Sequence, residues 1–87
     1  MSLDTQVNGM ASRIVSCVKE ILQTEEPVSR DTDLFLLGLD SITAVDLIVN
    51  LESMFGIAFE DDELIVENFS TVEKIMAHVS VKAGGNL

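Results

Sequence analysis

Few side chains in this 87-residue chain can do chemistry: it has one Cys, one His, and neither Tyr nor Trp. A nucleophile needs a base and an orienting group within hydrogen-bond reach. Cys17 lies in a stretch of apolar residues at helical spacing. It reads as a buried structural thiol, since free Cys is among the most buried residue types, and a lone Cys forms no internal disulfide. His78 belongs to the last helical stretch and reads as a surface or half-buried structural residue. "EDDE", Glu60 to Glu63, concentrates oxygen ligands, but a calcium loop needs alternate spacing and a distal Glu. These acids read as the solvated start of a short helix, and no metal site is expected.

The remaining candidate is Ser41, in "LGLDSITAVDL", residues 37–47. Asp40 is a strong N-cap, its carboxylate suited to accept from the N–H of Ile42 or Thr43. Ser41 then takes the first helical position with its hydroxyl outward. A phosphodiester there would sit at the positive end of the helix dipole, near unpaired N–H groups. Asp-Ser at a helix start is also ordinary capping chemistry, and the dipeptide alone does not separate a cap from an attachment point.

The elements that must position these residues are helices. Val7, Met10, Ala11, Ile14, Val15, Val18, Ile21 and Leu22 recur at i, i+3, i+4 and i+7, with polar residues between them. This spacing predicts a helix from about residue 5 to about residue 23, capped by Asp4 or Thr5. "TEEPVSRDTDLFLLG" then makes a long loop. Leu34, Phe35 and Leu37 are its expected anchors, and Gly38 suits a turn needing positive φ. A second helix is predicted from Ser41 to Phe55, ended by a left-handed Gly56. Its apolar residues cover more than one narrow stripe, so it is either largely buried or shows apolar side chains to something else. Ile57 to Phe59 alternates like a strand but has no second strand to pair with. An extended link and a turn or two of helix near Asp61 to Val66 fit better, with acids in the first turn. Ser70 and Glu73 form an S-x-x-E capping box for the last helix, whose inner face is Val72, Ile75, Met76 and Val79. The expected fold is all-α, a small bundle of three main helices plus one short helix. It forms a single domain over residues 1–87, with a core from about residue 5 to about residue 81 and a frayed tail after it.

Charge narrows the partners. The net charge of −10 argues against nucleic acid, whose phosphates need Lys and Arg, and against an anionic membrane surface. No apolar run reaches the roughly 18 residues of a membrane span, and the N-terminus lacks a signal-peptide pattern. A cytoplasmic monomer is expected. From Asp31 to Glu73 there are eleven acidic residues and no Lys or Arg. That one-signed window reads either as a soluble surface or as a docking face for basic partners with fast, salt-sensitive encounters.

The stretch "DTDLFLLGLDSITAVDLIVNLESMFGIAFEDDELIVENFSTVEKI" resembles the carrier proteins, both acyl carrier proteins and peptidyl carrier domains. The resemblance runs from about Ile14 to about Val79. "LGLDSI" is similar to the motif whose serine carries 4′-phosphopantetheine, and "LESMFGI", "FEDDEL" and "FSTVEKI" match in order. By this resemblance Ser41 is the attachment serine and Asp40 its preceding acid. A phosphopantetheinyl transferase, using coenzyme A and a divalent metal, would install the arm. The arm's thiol, not Cys17, would hold an acyl or aminoacyl group as a thioester, and the protein itself would catalyse nothing. Tethering raises the effective concentration of an intermediate near each loading or condensing enzyme. Leu39, Ile42, Asp46, Val49 and Glu52 are the candidate docking residues for basic faces on those enzymes, and a small apolar groove between the second and last helices could shelter the cargo. Three features depart from fatty-acid carriers: Thr43 after "DSI", only Asp46 and Glu52 as acids in the second helix, and the long "LIVENFSTV" link. They lean towards a specialised polyketide, peptide or modified-acyl pathway. The Met start without a flanking domain points to a free-standing protein. The alternatives are an aminoacyl or peptidyl carrier of a non-ribosomal peptide pathway, a non-covalent acidic helical adaptor, and an enzyme acting through Cys17 or His78.

Overall fold

A computed structural model describes residues 2–84 of the chain, with side chains for residues 9–82. Three α-helices, α1 (Ser2–Leu22), α2 (Ser41–Phe55) and α3 (Val72–Gly84), alternate with short 3-10 turns at Leu34–Leu37, Asp61–Glu63 and Val66–Phe69. No strand is present among the described residues. The all-α bundle expected from periodicity is therefore the fold.

α1 begins at Ser2, so Asp4 and Thr5 fall inside it rather than at its cap, and their side chains lie outside the described ones. No glycine follows Leu22. Gln23 takes a left-handed φ of 52° instead, and Thr24 N–H donates to Lys19 O at 3.1 Å to close the helix. An L-residue accepts this conformation at a cost of about 1–2 kcal/mol. The tail expected to fray from residue 82 falls partly within a helix. α3 continues through Lys82 to Gly84, and residues 85–87 lie outside the described ones.

Ile14, Val18, Leu34, Leu47, Leu51, Phe69, Val72, Ile75 and Val79 form the fully buried centre, joined by Cys17, Leu39, Ala44 and Phe59. Each helix thus contributes the residues that recur on its own apolar face. The long loop is tied down at two points: Leu34 N–H donates to Ser70 O at 2.8 Å, and Glu73 N–H to Arg30 O at 2.9 Å. Leu34 anchors it and Leu37 is half-buried, but Phe35 is exposed. The 3-10 turn there advances about 120° per residue, so neighbouring side chains cannot share the inward direction.

The segment after α2 is two 3-10 turns, not the single short helix predicted near Asp61 to Val66. Glu63 holds the first in place. Its carboxylate accepts from Glu60 N–H at 2.7 Å and meets Lys82 Nζ at 2.7 Å and His78 Nδ1 at 3.0 Å. The Lys82 hydrogen bond, then the Glu60 N–H, hold the Glu63 carboxyl down to about 2. This acid is a clasp onto α3 rather than part of a solvated helix start, because α3 brings Lys82 and His78 to one side of the turn. The α3 cap also differs. Lys74 N–H is accepted by Thr71 Oγ1 at 3.1 Å, while Ser70 is buried with its hydroxyl donating to Glu67 O at 2.8 Å. The helix starts one residue later than a Ser70–Glu73 box requires, since Ser70 is drawn inward to complete the preceding turn.

Candidate functional site

The start of α2 is built almost wholly by its own sequence. Asp33 caps the Leu34–Leu37 turn by accepting from Phe35 N–H at 3.0 Å. Gly38 then reverses the chain at φ 112°, a value that favours glycine. Leu39 N–H donates to Leu34 O at 3.0 Å, which turns the Leu39 side chain into the core. Asp40 is extended, with φ −145°, and caps the helix: its Oδ1 accepts from Ile42 N–H at 3.0 Å and Thr43 N–H at 2.9 Å. Thr43 answers by accepting Asp40 N–H on Oγ1 at 2.8 Å. This is a capping box with Thr in the place usually held by Glu or Gln. The Thr43 N–H and then the Thr43 hydroxyl keep the Asp40 carboxyl below its usual range.

Ser41 occupies the first position of α2, exposed. Among the described residues its hydroxyl makes no hydrogen bond, so it is no part of the cap. The N–H groups of Ile42 and Thr43, of which one or the other was expected to bond Asp40, are both taken by it. A group attached to Ser41 keeps the favourable end of the helix dipole, with those two donors already engaged.

Ser41 stands at one end of an apolar groove of about 290 Å³, lined further by Ala44, Val45, Ile48, Val49, Leu64 and Val66. The groove runs between α2 and the 3-10 segment, not between the second and last helices. Leu64 and Val66 lie where the Glu63 clasp leads the chain across α2, and they fill the place α3 was expected to take.

Of the predicted docking residues, Ile42 (74% exposed) and Val49 (56%) lie on the surface, as does Asp46. Leu39 does not, at 4% exposed. Glu52 is half-buried and internally engaged, its Oε2 accepting from Phe59 N–H at 2.9 Å; that bond leads the chain out of α2 into the extended link. Val45, 58% exposed, belongs to the same surface and was missed, although Ile42, Val45 and Val49 at i, i+3 and i+7 carry the signal. Thr43 is a structural residue too, and D-x-x-T, a capping box with Thr in third place, carries its signal.

The other reactive candidates stay apart from this site. Cys17 is buried, with burial first and then Glu20 pushing its thiol up, so the nucleophilic thiolate is disfavoured. His78 is half-buried between Glu63 and the Phe69 ring. Among the described residues no cluster of three His, Cys, Asp or Glu side chains could hold a metal ion, and no helix is long and apolar enough to cross a membrane.

An exposed, unbonded serine hydroxyl at the head of a capped helix fits a phosphate-linked group, and comparison with known proteins agrees. Residues 12–79 match the family described as "Phosphopantetheine attachment site", so the chain belongs to the phosphopantetheine-dependent carrier proteins, and 4′-phosphopantetheine is its cofactor. The chain is 36% identical over 75 residues to an acyl carrier protein of Thermotoga maritima, covering 84% of this chain and 90% of that protein. It is 38% identical over 79 residues to a D-alanyl carrier protein of Lactococcus lactis subsp. cremoris, covering 88% of this chain and all of that protein. A D-alanyl carrier protein of Streptococcus suis is 37% identical over 67 residues, covering 76% of this chain and 85% of its own length. No solved structure matches significantly.

Proposed function

We propose that the chain is a non-catalytic acyl carrier whose Ser41 Oγ bears 4′-phosphopantetheine, and that it presents thioester-bound intermediates to partner enzymes. The single observation that carries the residue assignment is the Ser41 hydroxyl, exposed, without a hydrogen bond among the described residues, and lining an apolar groove. Bound, the arm supplies a thiol for thioester chemistry. The chain's own residues hold the attachment point rigid, through the Asp40 and Thr43 cap, and offer a surface. Ile42, Val45 and Val49, with Asp46 beside them, form a small apolar patch in an acidic field. Such a patch fits weak, releasable docking by enzymes with basic faces. The first partner in this reading is a phosphopantetheinyl transferase. The compartment is the one that supplies coenzyme A, the cytoplasm.

An uncharged acyl chain is the cargo this groove favours. Apart from Ser41 its lining is aliphatic, so an ammonium group entering it would lose hydration with no carboxylate to offset the loss. A second reading, an aminoacyl carrier, is favoured by the similarity to D-alanyl carrier proteins; its cargo would stay outside the groove. Thr43 now has a local capping role, so the lean towards a specialised pathway rests on the sparse acids of α2 and on the link from Leu64 to Val72.

Intact mass after incubation with a broad-specificity transferase, coenzyme A and Mg²⁺ tests the assignment. The protein should gain one arm, and Ser41→Ala should gain none. Equal gain by Ser41→Ala sinks it.

A further inference from the structure

The cap at Asp40 is lopsided. Its Oδ1 faces three donors: Ile42 N–H at 3.0 Å, Thr43 N–H at 2.9 Å and the Thr43 hydroxyl at 3.0 Å. The Thr43 proton has two other acceptors, Asp40 O at 3.3 Å and Gly38 O at 3.4 Å. Both are longer and neutral, and Asp40 O already takes Ala44 N–H at 2.8 Å. The carboxylate oxygen is therefore the favoured acceptor. Asp40 Oδ2 accepts no hydrogen bond among the described residues. A carboxylate has about four lone-pair sites across its two oxygens, so the second oxygen keeps its full capacity, beside Ser41 in sequence and on an exposed residue.

We propose that Thr43 is a positioning residue for the modification of Ser41: its hydroxyl pins Asp40 by one oxygen and leaves Oδ2 presented to a cationic group of the transferase. The inference rests on Ser41 being the attachment residue. In the transfer, the Ser41 Oγ–P bond forms as the pyrophosphate bridge of coenzyme A breaks. The hydroxyl proton leaves to a base on the transferase, and adenosine 3′,5′-bisphosphate departs. Thr43 touches none of these atoms and acts through Asp40. Without the Thr43 hydroxyl the Asp40 carboxylate keeps only its two N–H bonds and is held less firmly, and ordering it again would fall on the transfer step within the bound complex.

Steady-state kinetics of the transferase on folded protein test this. Thr43→Val keeps the shape and removes the hydroxyl; it should lower kcat at saturating carrier about tenfold, the scale of one hydrogen bond to a charged group. Thr43→Ser restores donor and acceptor and should return kcat to near the parent value. In an Asp40→Asn background Thr43→Val should add less than about twofold, because both changes act on one interaction. Gly56→Ala, at the far end of α2 where φ is 63°, is the stability control and should leave kcat unchanged. A merely fraying helix would raise KM alone, by lowering the competent fraction. An unchanged kcat in Thr43→Val, failure of Thr43→Ser to restore it, or an undiminished loss in the Asp40→Asn background overturns the inference while Ser41 remains the modified residue. Modification of Ser41→Ala would instead overturn the assignment beneath it.

Discussion

Two carboxylates in this protein are held below their ordinary range by hydrogen bonds, and they are held differently. Asp40 is satisfied within its own helix start, by Ile42 and Thr43. Glu63 is satisfied first across the fold, by Lys82 on α3, then by the nearby Glu60 N–H, with His78 on α3 a lesser partner. The local cap shapes a site that needs a fixed, exposed hydroxyl. The distant clasp shapes what surrounds it, since the chain that leaves Glu63 supplies Leu64 and Val66 to the groove. A local motif forms wherever the helix forms, whereas a clasp requires the packed bundle.

The contrast can be broken most forcefully through the core beneath the clasp. Phe69 is fully buried, edge-on to Phe59 with ring centres 5.3 Å apart and stacked near His78. Phe69→Ala should cost about 3–5 kcal/mol in urea unfolding, yet the fraction that remains folded should still be modified at Ser41. Loss of modification from folded protein would tie the cap to the clasp after all. Next in size, Thr43→Val should lower stability by about 1 kcal/mol, the usual worth of an N-terminal cap, with the groove intact. Thermal unfolding reads the loss directly.

Acid should act on Glu63 more gently, because its ion pair with Lys82 remains partly open to solvent. Its carboxyl sits at about 2 in the fold against 4.5 ordinarily, so its contribution is complete above the ordinary value and fades as pH falls through the folded one. Lys82, raised chiefly by the Glu63 hydrogen bond, loses its share only at alkaline pH, above its ordinary value. Lys82→Met should therefore flatten the dependence of unfolding free energy on pH between about 5 and about 2; an unaltered slope would assign that dependence to other acids. The smallest effect on stability is expected at the surface. Ile42→Ser should change it by less than about 0.5 kcal/mol while slowing modification through a higher KM, since the residue is exposed on the apolar patch beside Ser41 and not in the core.

Sequence and structure part company along the same line. The limits of α2, the Asp40 cap and the left-handed turns at Gly38 and Gly56 were readable, because each depends on groups within a few residues of one another. The same kind of reading misplaced the α3 cap at Ser70, because a buried turn competes there for the hydroxyl. It also placed Leu39 and Glu52 on the surface. Leu39 is turned inward by its N–H bond to Leu34 O, and Glu52 is drawn to Phe59 N–H, and neither bond belongs to the regular ladder of a helix. The uncovered apolar face of α2 was foreseen only as a choice between burial and display.

By itself, the sequence determined an acidic all-α domain with a capped helix opening on Ser41, since short-range hydrogen bonds and helical periodicity are properties of neighbouring residues. Only the tertiary structure decided that Ile42, Val45 and Val49 stay exposed, that Glu63 is a clasp, and that Leu64 and Val66 wall the groove. Those outcomes depend on which distant segments reach α2 first and leave the rest of its surface uncovered, and no local pattern records that.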